Sequence, residues 1–266
     1  MSEDQQTAND QSRSDETTAD NVTNSNDVEQ QPNDVVDGST SRGSRSRSCS
    51  PPPPSLTLEI VQAGLSTIAR TVDGSALAFS KLVLDGKGLV DVSLLQQYPH
   101  IRYLRCRMNN IADLTPITKM TCLTTAELTG NAVRQLIHFP NPYLQVLDVS
   151  SNLLQSIDGL FAAKLTYLKL DDNKITSLQG LNQLQLLQRL DINANQLTTM
   201  KDICGLPNLQ MLQIADNMLN EVTGLDTLPS LEILNIAGNN VTSLEPFRDK
   251  AKSLRVRTAP HEILAA

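Results

Sequence analysis

The stretch Leu187-Gln-Arg-Leu-Asp-Ile-Asn-Ala-Asn-Gln-Leu197 decides the fold, because its pattern returns along the chain at a nearly fixed interval. The pattern is LxxLxLxxNxL, and the same frame fits residues 165–175 and 209–219. Seven copies aligned on the asparagine are separated by 22, 21, 21, 22, 22 and 22 residues, at Asn109, Asn131, Asn152, Asn173, Asn195, Asn217 and Asn239. A fixed period of this length predicts a stack of similar structural units, each contacting its neighbours.

Weaker copies of the pattern complete the array. They cover residues 101–111, 123–133, 144–154 and 231–241, with Cys106 and Ala126 in leucine positions. An eighth copy begins at Phe79, and there Lys87 stands in place of the asparagine. Terminal repeats are commonly atypical. Because a lysine side chain cannot accept a hydrogen bond, we expect a ladder of asparagines to begin after Lys87.

Each copy predicts a short β-strand. Its leucines alternate with polar residues, so one face of the strand lies in the core and the other faces solvent. Stacked copies then form a parallel sheet. The asparagine lies where the chain turns out of the strand, and its amide can satisfy backbone groups that the turn leaves unpaired. Leucines at three-residue spacing follow, as at Leu178, Leu181 and Leu184, and this spacing favours a 3₁₀ or short helical return leg.

This consensus resembles that of the leucine-rich-repeat family, and in particular its short, cytosolic SDS22-like class. Eight copies in register cover about residues 79–250. The resemblance implies an α/β repeat fold, a right-handed solenoid of about eight 22-residue repeats with a concave parallel β-sheet. Extracellular members usually carry cysteine-rich caps, which this sequence lacks, so an intracellular protein is expected.

Residues 1–54 differ in composition from the repeats. They contain ten acidic residues and four arginines, and almost no large apolar side chains, which is typical of a disordered tail. The tail ends with an Arg/Ser run at residues 42–48 and a polyproline run at residues 51–54. Ser50, directly before Pro51, is a candidate phosphorylation site; a solvated linker is the plainer alternative.

The residues that flank the array on either side also predict local structure. Apolar residues recur at helical spacing from Leu56 to Ala69, which predicts an N-terminal capping helix within residues 55–78, with Ser55 or Thr57 as N-cap. Residues 251–266 are expected to form a C-terminal tail or a partial cap. Leu254 and Val256 alternate like one further edge strand, while a frayed polar tail is the alternative.

The sequence offers no set of residues suited to catalysis. It has no Gly-x-Ser-x-Gly motif, no phosphate-binding glycine loop and no His-Glu-x-x-His motif. Asp171-Asp172 could suggest paired carboxylates, but such positions are ordinarily solvated surface in a repeat protein. The four cysteines and three histidines are scattered, without metal-binding spacing. We therefore expect a non-enzyme that holds no metal and no cofactor.

Charge and hydropathy argue against nucleic-acid and membrane partners. The tail carries a net charge of −6, and residues 55–266, with nineteen acidic and eighteen basic side chains, carry −1. Neither part is strongly basic, and aromatic residues are only 3% of the chain, so a nucleic-acid surface is not indicated. No stretch approaches the ~20 apolar residues that cross a bilayer, and the N-terminus lacks a secretion signal.

Protein binding is expected through the outward residues of the strands. In chain order this surface begins basic, turns acidic and ends with exposed apolar residues. The candidate protein-binding residues are Tyr103, Arg105, Arg107, Glu127, Asp148, Tyr167, Lys169, Asp171, Arg189, Asp191, Met211, Gln213 and Ile233. Tyrosine, arginine and exposed apolar side chains are common anchors of protein interfaces.

A more specific resemblance lies in residues 60–120. The runs Gln62-Ala-Gly-Leu-Ser-Thr-Ile68, Leu94-Leu-Gln-Gln-Tyr-Pro-His-Ile-Arg-Tyr-Leu104 and Asn109-Asn-Ile-Ala-Asp-Leu-Thr-Pro-Ile117 resemble the start of an axonemal family, that of leucine-rich repeat-containing protein 23. The resemblance implies a structural component of ciliary and flagellar radial spokes, with radial-spoke subunits as partners. It places the protein in the cytoplasm and cytoskeleton, on the axoneme of the cilium or flagellum.

Two other functions are compatible with the sequence. An SDS22-like regulatory subunit of a protein phosphatase would grip a catalytic subunit with the same concave surface. A nuclear, spliceosomal adaptor is suggested only by the Arg/Ser run, whose three arginines are too few to support it.

Overall fold

Ten β-strands lie side by side in one sheet whose order follows the chain. The computed structural model describes residues 54–136, 141–242 and 254–257. The strands are β1 (Leu65–Arg70), β2 (Leu77–Val83), β3 (Tyr103–Arg105), β4 (Thr125–Glu127), β5 (Val146–Asp148), β6 (Tyr167–Lys169), β7 (Arg189–Asp191), β8 (Met211–Gln213), β9 (Ile233–Asn235) and β10 (Arg255–Arg257). β1 pairs antiparallel with β2, and all later neighbours are parallel.

Short helical segments lie before the sheet and in several of the return legs between strands. They are α1 (Leu58–Gly64) before the sheet, α2 (Thr115–Thr118), and 3₁₀ helices at Ser93–Gln97, Leu181–Gln183 and Leu225–Thr227. About 22 residues per turn leave little length for a long helix beside a strand and two turns. The expected 3₁₀ or short helical leg is therefore found in these repeats.

The predicted parallel-sheet solenoid is confirmed. Strands β2 to β9 coincide with the eight copies recognised in the sequence, and about seven turns of the solenoid connect them. In nearly every strand the middle residue is buried and its two neighbours are more exposed, as in Tyr103, Leu104 and Arg105. The buried residues stack from repeat to repeat and form one continuous core between Leu56 and Leu254. Because each core layer packs on the next, no repeat buries its apolar side alone.

Buried asparagines hold successive repeats together. The Nδ2 group of Asn195 donates to the carbonyl of Leu170 at 3.0 Å, and its Oδ1 accepts from the backbone N–H of Ile175 at 3.0 Å. Both groups belong to the preceding repeat. Six other asparagines make the same two bonds. In each, Nδ2 donates to a carbonyl near the end of the preceding strand and Oδ1 accepts from a backbone N–H in the turn that follows that strand. They are Asn109, Asn131, Asn152, Asn173, Asn217 and Asn239.

The ladder begins at Asn109, as predicted. Asn109 reaches back to the backbone of the first copy, where its Oδ1 accepts from the N–H groups of Lys87 and Leu89 at 3.0 and 3.1 Å. The backbone N–H of Lys87 therefore donates one of the ladder's first bonds, and its side chain adds no amide to the ladder.

The residue before each ladder position has a left-handed backbone conformation. Positive φ values occur at Gly86, Met108, Gly130, Ser151, Asp172, Ala194, Asp216 and Gly238. This reversal points the next side chain back under the preceding turn. Gly130 also needs its small size, because a Cβ there would lie 2.7 Å from the Met108 sulfur. Non-glycine residues pay a steric cost in this conformation, and the ladder bonds offset it.

The N-terminal cap differs from the expected long helix. Thr57 is the N-cap, and its Oγ1 accepts from the N–H of Ile60 at 3.4 Å, but the helix ends at Gly64. Residues 65–70 form strand β1 instead, because Gly64 packs so closely on the Val83 carbonyl that a Cβ would clash with it. Apolar spacing in the sequence could not reveal that β2 offers this segment a pairing partner.

Residues 254–257 contain the alternating strand considered above. β10 runs parallel to β9, with Val256 opposite Leu234, and Leu254 is buried at the end of the core. The expectations for residues 1–53, including phosphorylation of Ser50, lie outside the described residues, as do those for residues 258–266.

We expect Leu190→Ala to lower the free energy of unfolding by about 2–5 kcal/mol, because Leu190 is fully buried between two neighbouring repeats and its loss leaves a cavity. Leu186→Ala is the matched control, since Leu186 is 47% exposed in the turn before the same strand. Urea unfolding followed by circular dichroism measures both. Equal stability of the two variants would contradict the inward assignment of Leu190.

We expect Asn195→Ala to lower the free energy of unfolding by about 2–4 kcal/mol, because the Leu170 carbonyl and the Ile175 N–H would lose their buried partner. Asn182→Ala, at an exposed asparagine on the return leg of the preceding repeat, should change it by less than about 0.5 kcal/mol. The same unfolding experiment compares them, and a loss of under about 0.5 kcal/mol at Asn195 would show that the ladder contributes little.

Candidate protein-binding face of the sheet

The outward side chains of the sheet form three rows that run from repeat to repeat. We call this surface the sheet face. The first row is Lys81, Tyr103, Thr125, Val146, Tyr167, Arg189, Met211 and Ile233; the second is Val83, Arg105, Glu127, Asp148, Lys169, Asp191, Gln213 and Asn235; the third is Asp85, Arg107, Thr129, Ser150, Asp171, Asn193, Ala215 and Ala237. The structure brings all thirteen candidate residues together on these rows. Their function as binding residues stays a prediction.

An ionic network lies on the N-terminal part of the sheet face. The hydroxyl of Tyr103 donates to Glu127 Oε1 at 2.9 Å, and Arg107 pairs with Glu127 Oε2 at 2.6 Å. Arg105 pairs with Asp85 at 2.7 Å, and the other oxygen of Asp85 accepts from the backbone N–H of Arg107. Each of these bonds joins neighbouring strands, so the charges are matched within the protein.

A second, smaller network of a tyrosine, an arginine and a carboxylate lies on β6 and β7. The Tyr167 hydroxyl donates to Asp191 Oδ2 at 2.7 Å, and Arg189 binds both oxygens of the same carboxylate at 3.0 and 2.8 Å. The guanidinium of Arg189 also lies 4.8 Å from the centre of the Tyr167 ring. These contacts leave Asp191 only 3% exposed, so a partner would meet Arg189 and Tyr167 before this carboxylate.

The carboxylate of Asp171 contacts a side chain of its own strand and accepts hydrogen bonds from the next repeat. Its Oδ1 accepts from the backbone N–H of Asn193 at 2.8 Å and from the Asn193 amide at 3.0 Å, and its Oδ2 lies 3.5 Å from Lys169. Burial raises the pKa of Asp171, although these hydrogen bonds and Lys169 oppose the shift. Asp171 therefore supports the sheet as well as facing outward.

The C-terminal part of the sheet face carries no charged side chain on β8 and β9. Met211 and Ile233 lie side by side in the first row and are partly exposed, and the third row has only the small side chains of Ala215 and Ala237 in these repeats. Gln213 accepts a hydrogen bond from the Asn235 amide at 2.9 Å. Apolar side chains beside matched polar groups are typical of the centre of a protein interface.

The expected charge gradient is largely cancelled by pairing. Arg105 and Arg107 meet carboxylates on neighbouring strands, and the acidic residues Asp171 and Asp191 meet basic side chains on their own strands. The sequence lists side chains one strand at a time, whereas neighbouring strands lie only ~4.8 Å apart and their charges interact. The sheet face is thus a mosaic of ion pairs followed by an apolar end on β8 and β9, and β10 places the exposed Arg255 opposite Ile233 at its border.

Several residues of the sheet face were not among the thirteen candidates. Asp85 completes the first network, and Asn193 and Asn235 bind neighbouring outward side chains. The register of the repeats would have identified them, because residues about 22 apart lie opposite each other on adjacent strands. Residue type alone does not indicate whether Asp85, Asn193 and Asn235 contribute to a protein interface.

Leucine-rich-repeat family models match residues 163–219 (Leucine rich repeat) and residues 207–249 (Leucine Rich repeats, 2 copies). Residues 163–249 of the chain are therefore leucine-rich repeats. The matched residues lie within the array whose strands, core and asparagine ladder are described above.

Two relatives share the name leucine-rich repeat-containing protein 23. The chain is 32% identical to the protein of Bos taurus over 132 residues and 32% identical to that of Homo sapiens over 135 residues. These matches cover 50% and 51% of this chain and 39% of each relative, so the match spans about two fifths of their length. The resemblance that residues 60–120 suggested is confirmed; the SDS22-like class stays a prediction.

Solved leucine-rich-repeat structures share the fold. Internalin C2 of Listeria monocytogenes superimposes with a TM-score of 0.61 at 24% identity, covering 67% of this chain and 80% of that one. Another internalin of the same species has a TM-score of 0.52 at 28% identity, covering 57% of this chain and 46% of the other. Within the described residues, no helix is both long and apolar enough to cross a membrane.

We expect Tyr103 and Tyr167 to ionise at a higher pH than an ordinary tyrosine. Burial and then the hydrogen bond to a carboxylate raise the pKa of each. Above pH ~10 the unfolded chain loses these protons before the folded chain does, so stability should fall as the pH rises. Urea unfolding at increasing pH should show a weaker fall in Tyr103→Phe/Tyr167→Phe than in the unaltered chain.

Tyr143→Phe is the matched control, since Tyr143 lies outside the sheet face and is 40% exposed. A pH dependence that is the same in the unaltered chain and in the double variant would show that these hydroxyls are not held by Glu127 and Asp191.

Proposed function

We propose that the protein is a non-catalytic scaffold of the ciliary or flagellar axoneme, which binds radial-spoke subunits through its sheet face. The observation that carries this proposal is the similarity to leucine-rich repeat-containing protein 23, together with the partly exposed apolar side chains that β8 and β9 place on the sheet face. The chain's own partners are expected to be proteins, because proteins with leucine-rich repeats generally act through protein–protein contacts.

The geometry of the sheet face supports binding without chemistry. Most of its ionisable groups are engaged in ion pairs and in bonds that hold neighbouring strands, as in the contacts of Glu127 and Asp191. Burial strongly raises the pKa of the Cys106 thiol, which lies inside the core and not on the face. A group that must take up and release protons during catalysis needs a tuned pKa and access to a substrate. A rigid patterned surface needs neither.

The apolar end supplies the contact area that such a scaffold needs. Met211 and Ile233 form adjacent positions on parallel strands, and no charged side chain on these strands lies between them. Their removal from water on binding would contribute favourable free energy at about 25 cal/mol per Å² of apolar surface. The ion pairs beside them would orient a partner more than they would add affinity.

The proposal is tested by expressing a tagged copy in ciliated or flagellated cells and extracting the cytoskeleton with detergent and high salt. We expect the full chain to remain along the axoneme. Met211→Lys/Ile233→Lys should move most of the tagged protein into the extract, because two charges would replace the apolar contacts of the sheet face.

Met218→Lys is the matched control, since Met218 is 51% exposed in the turn after β8, outside the sheet face. This variant should stay on the axoneme. A diffuse or nuclear signal from the unaltered chain would contradict the axonemal function, and co-purification of a phosphatase catalytic chain would favour the SDS22-like alternative. Retention of the double variant would show that another surface holds the protein.

A further inference from the structure

We propose that Asp148 is the recognition point for a basic side chain of the partner, so that the sheet face selects protein segments carrying an arginine or lysine together with a large apolar residue. This inference rests on the proposed function of the sheet face as a binding surface. It identifies the chemistry of the partner and the residue that selects it.

Asp148 differs from the other carboxylates of the sheet face. Asp85, Glu127, Asp171 and Asp191 each have a basic side chain within ion-pair distance, at 2.7, 2.6, 3.5 and 2.8 Å. Among the residues that the structure describes, no such partner is found for Asp148. Lys169 lies opposite Asp148 in the register of β5 and β6, but its ammonium group pairs with Asp171, so Asp148 faces outward without an ion pair of its own.

The hydrogen bonding of Asp148 leaves acceptor capacity. Its Oδ1 accepts from the backbone N–H of Ser150 at 3.0 Å, a bond within its own strand that fixes the carboxylate. A carboxylate has about four acceptor positions on its two oxygens, so most of them stay open to a donor from outside. Asp148 is partly exposed and can be reached by such a donor.

Two hydroxyl groups beside Asp148 also have no hydrogen-bond partner. They are Ser150 Oγ, on a residue only 3% exposed, and Thr129 Oγ1 on the adjacent repeat. Polar atoms buried in this way are ordinarily satisfied. The two oxygens are covered from outside, so a cation of a partner would reach the partly exposed carboxylate of Asp148 and not these hydroxyls.

The apolar end gives the second half of the recognition pattern. β5, which carries Asp148, and β8, which carries Met211, are separated by three strand spacings, or roughly 14 Å. A partner segment crossing the strands would therefore present its basic and its apolar residue about 14 Å apart. In a helix this distance corresponds to about nine residues at ~1.5 Å each, and in an extended segment to about four residues at ~3.3 Å each.

The test selects binders from a phage-displayed library of random 16-residue peptides on the full chain, immobilised through a terminal tag at physiological salt. We expect the enriched peptides to contain arginine or lysine together with a large apolar residue. Fluorescence anisotropy then compares their affinity for the unaltered chain, for Asp148→Asn and for Asp226→Asn. The asparagine can still accept the Ser150 N–H, so Asp148→Asn removes charge while keeping the local bond.

Asp148→Asn should weaken binding by roughly tenfold. Asp226→Asn, at an exposed carboxylate on a return leg, should leave it unchanged. A peptide whose basic residue is changed to glutamate should lose binding to the unaltered chain and regain it with Asp148→Lys.

Enriched peptides without basic residues, or equal binding to Asp148→Asn, would overturn the inference. If those peptides still lose affinity for Met211→Lys/Ile233→Lys, the sheet face binds proteins without help from Asp148, and the proposed function stands. If no selected peptide is weakened by any variant of the sheet face, both proposals fail.

Discussion

The hydrogen bonds of the buried asparagines are the constraint on which the rest of the structure depends. Each amide satisfies a carbonyl and an N–H of the preceding repeat, as Asn195 does for Leu170 and Ile175. An unpaired backbone group in this position would be buried without water and would cost free energy. The interval between asparagines therefore sets the register of neighbouring strands. The left-handed residue before each asparagine is needed to aim the amide back.

That register divides the strand residues into two sets with different tasks. The inward leucines fill the core, while the outward residues form the proposed binding surface. Some outward residues nevertheless join neighbouring strands. The tyrosine hydroxyl donates to a carboxylate of the next strand in both Tyr103 with Glu127 and Tyr167 with Asp191. Held in this way, the sheet face needs little reordering when a partner binds, which lowers the entropic cost of association. Asp148 and the apolar end remain available for contact with a partner.

The solenoid could be predicted from the sequence because its decisive interactions recur at one interval and involve near neighbours in the repeat. The capping helix was predicted too long, since the pairing of residues 65–70 with β2 depends on a contact that apolar spacing does not report. The thirteen candidate residues do lie on the sheet face. Their charges could not be evaluated from one strand at a time, and the burial of Asp191 depends on Arg189 and Tyr167.

Cross-linking mass spectrometry of the chain on isolated axonemes tests the central claim, binding through the sheet face, most directly. An amine-reactive reagent compares Lys81 and Lys169, which lie on the sheet face, with Lys174 and Lys201, which are exposed outside it. The account predicts that cross-links to other proteins concentrate at Lys81 and Lys169. Cross-links to other proteins only from Lys174 and Lys201 would contradict it.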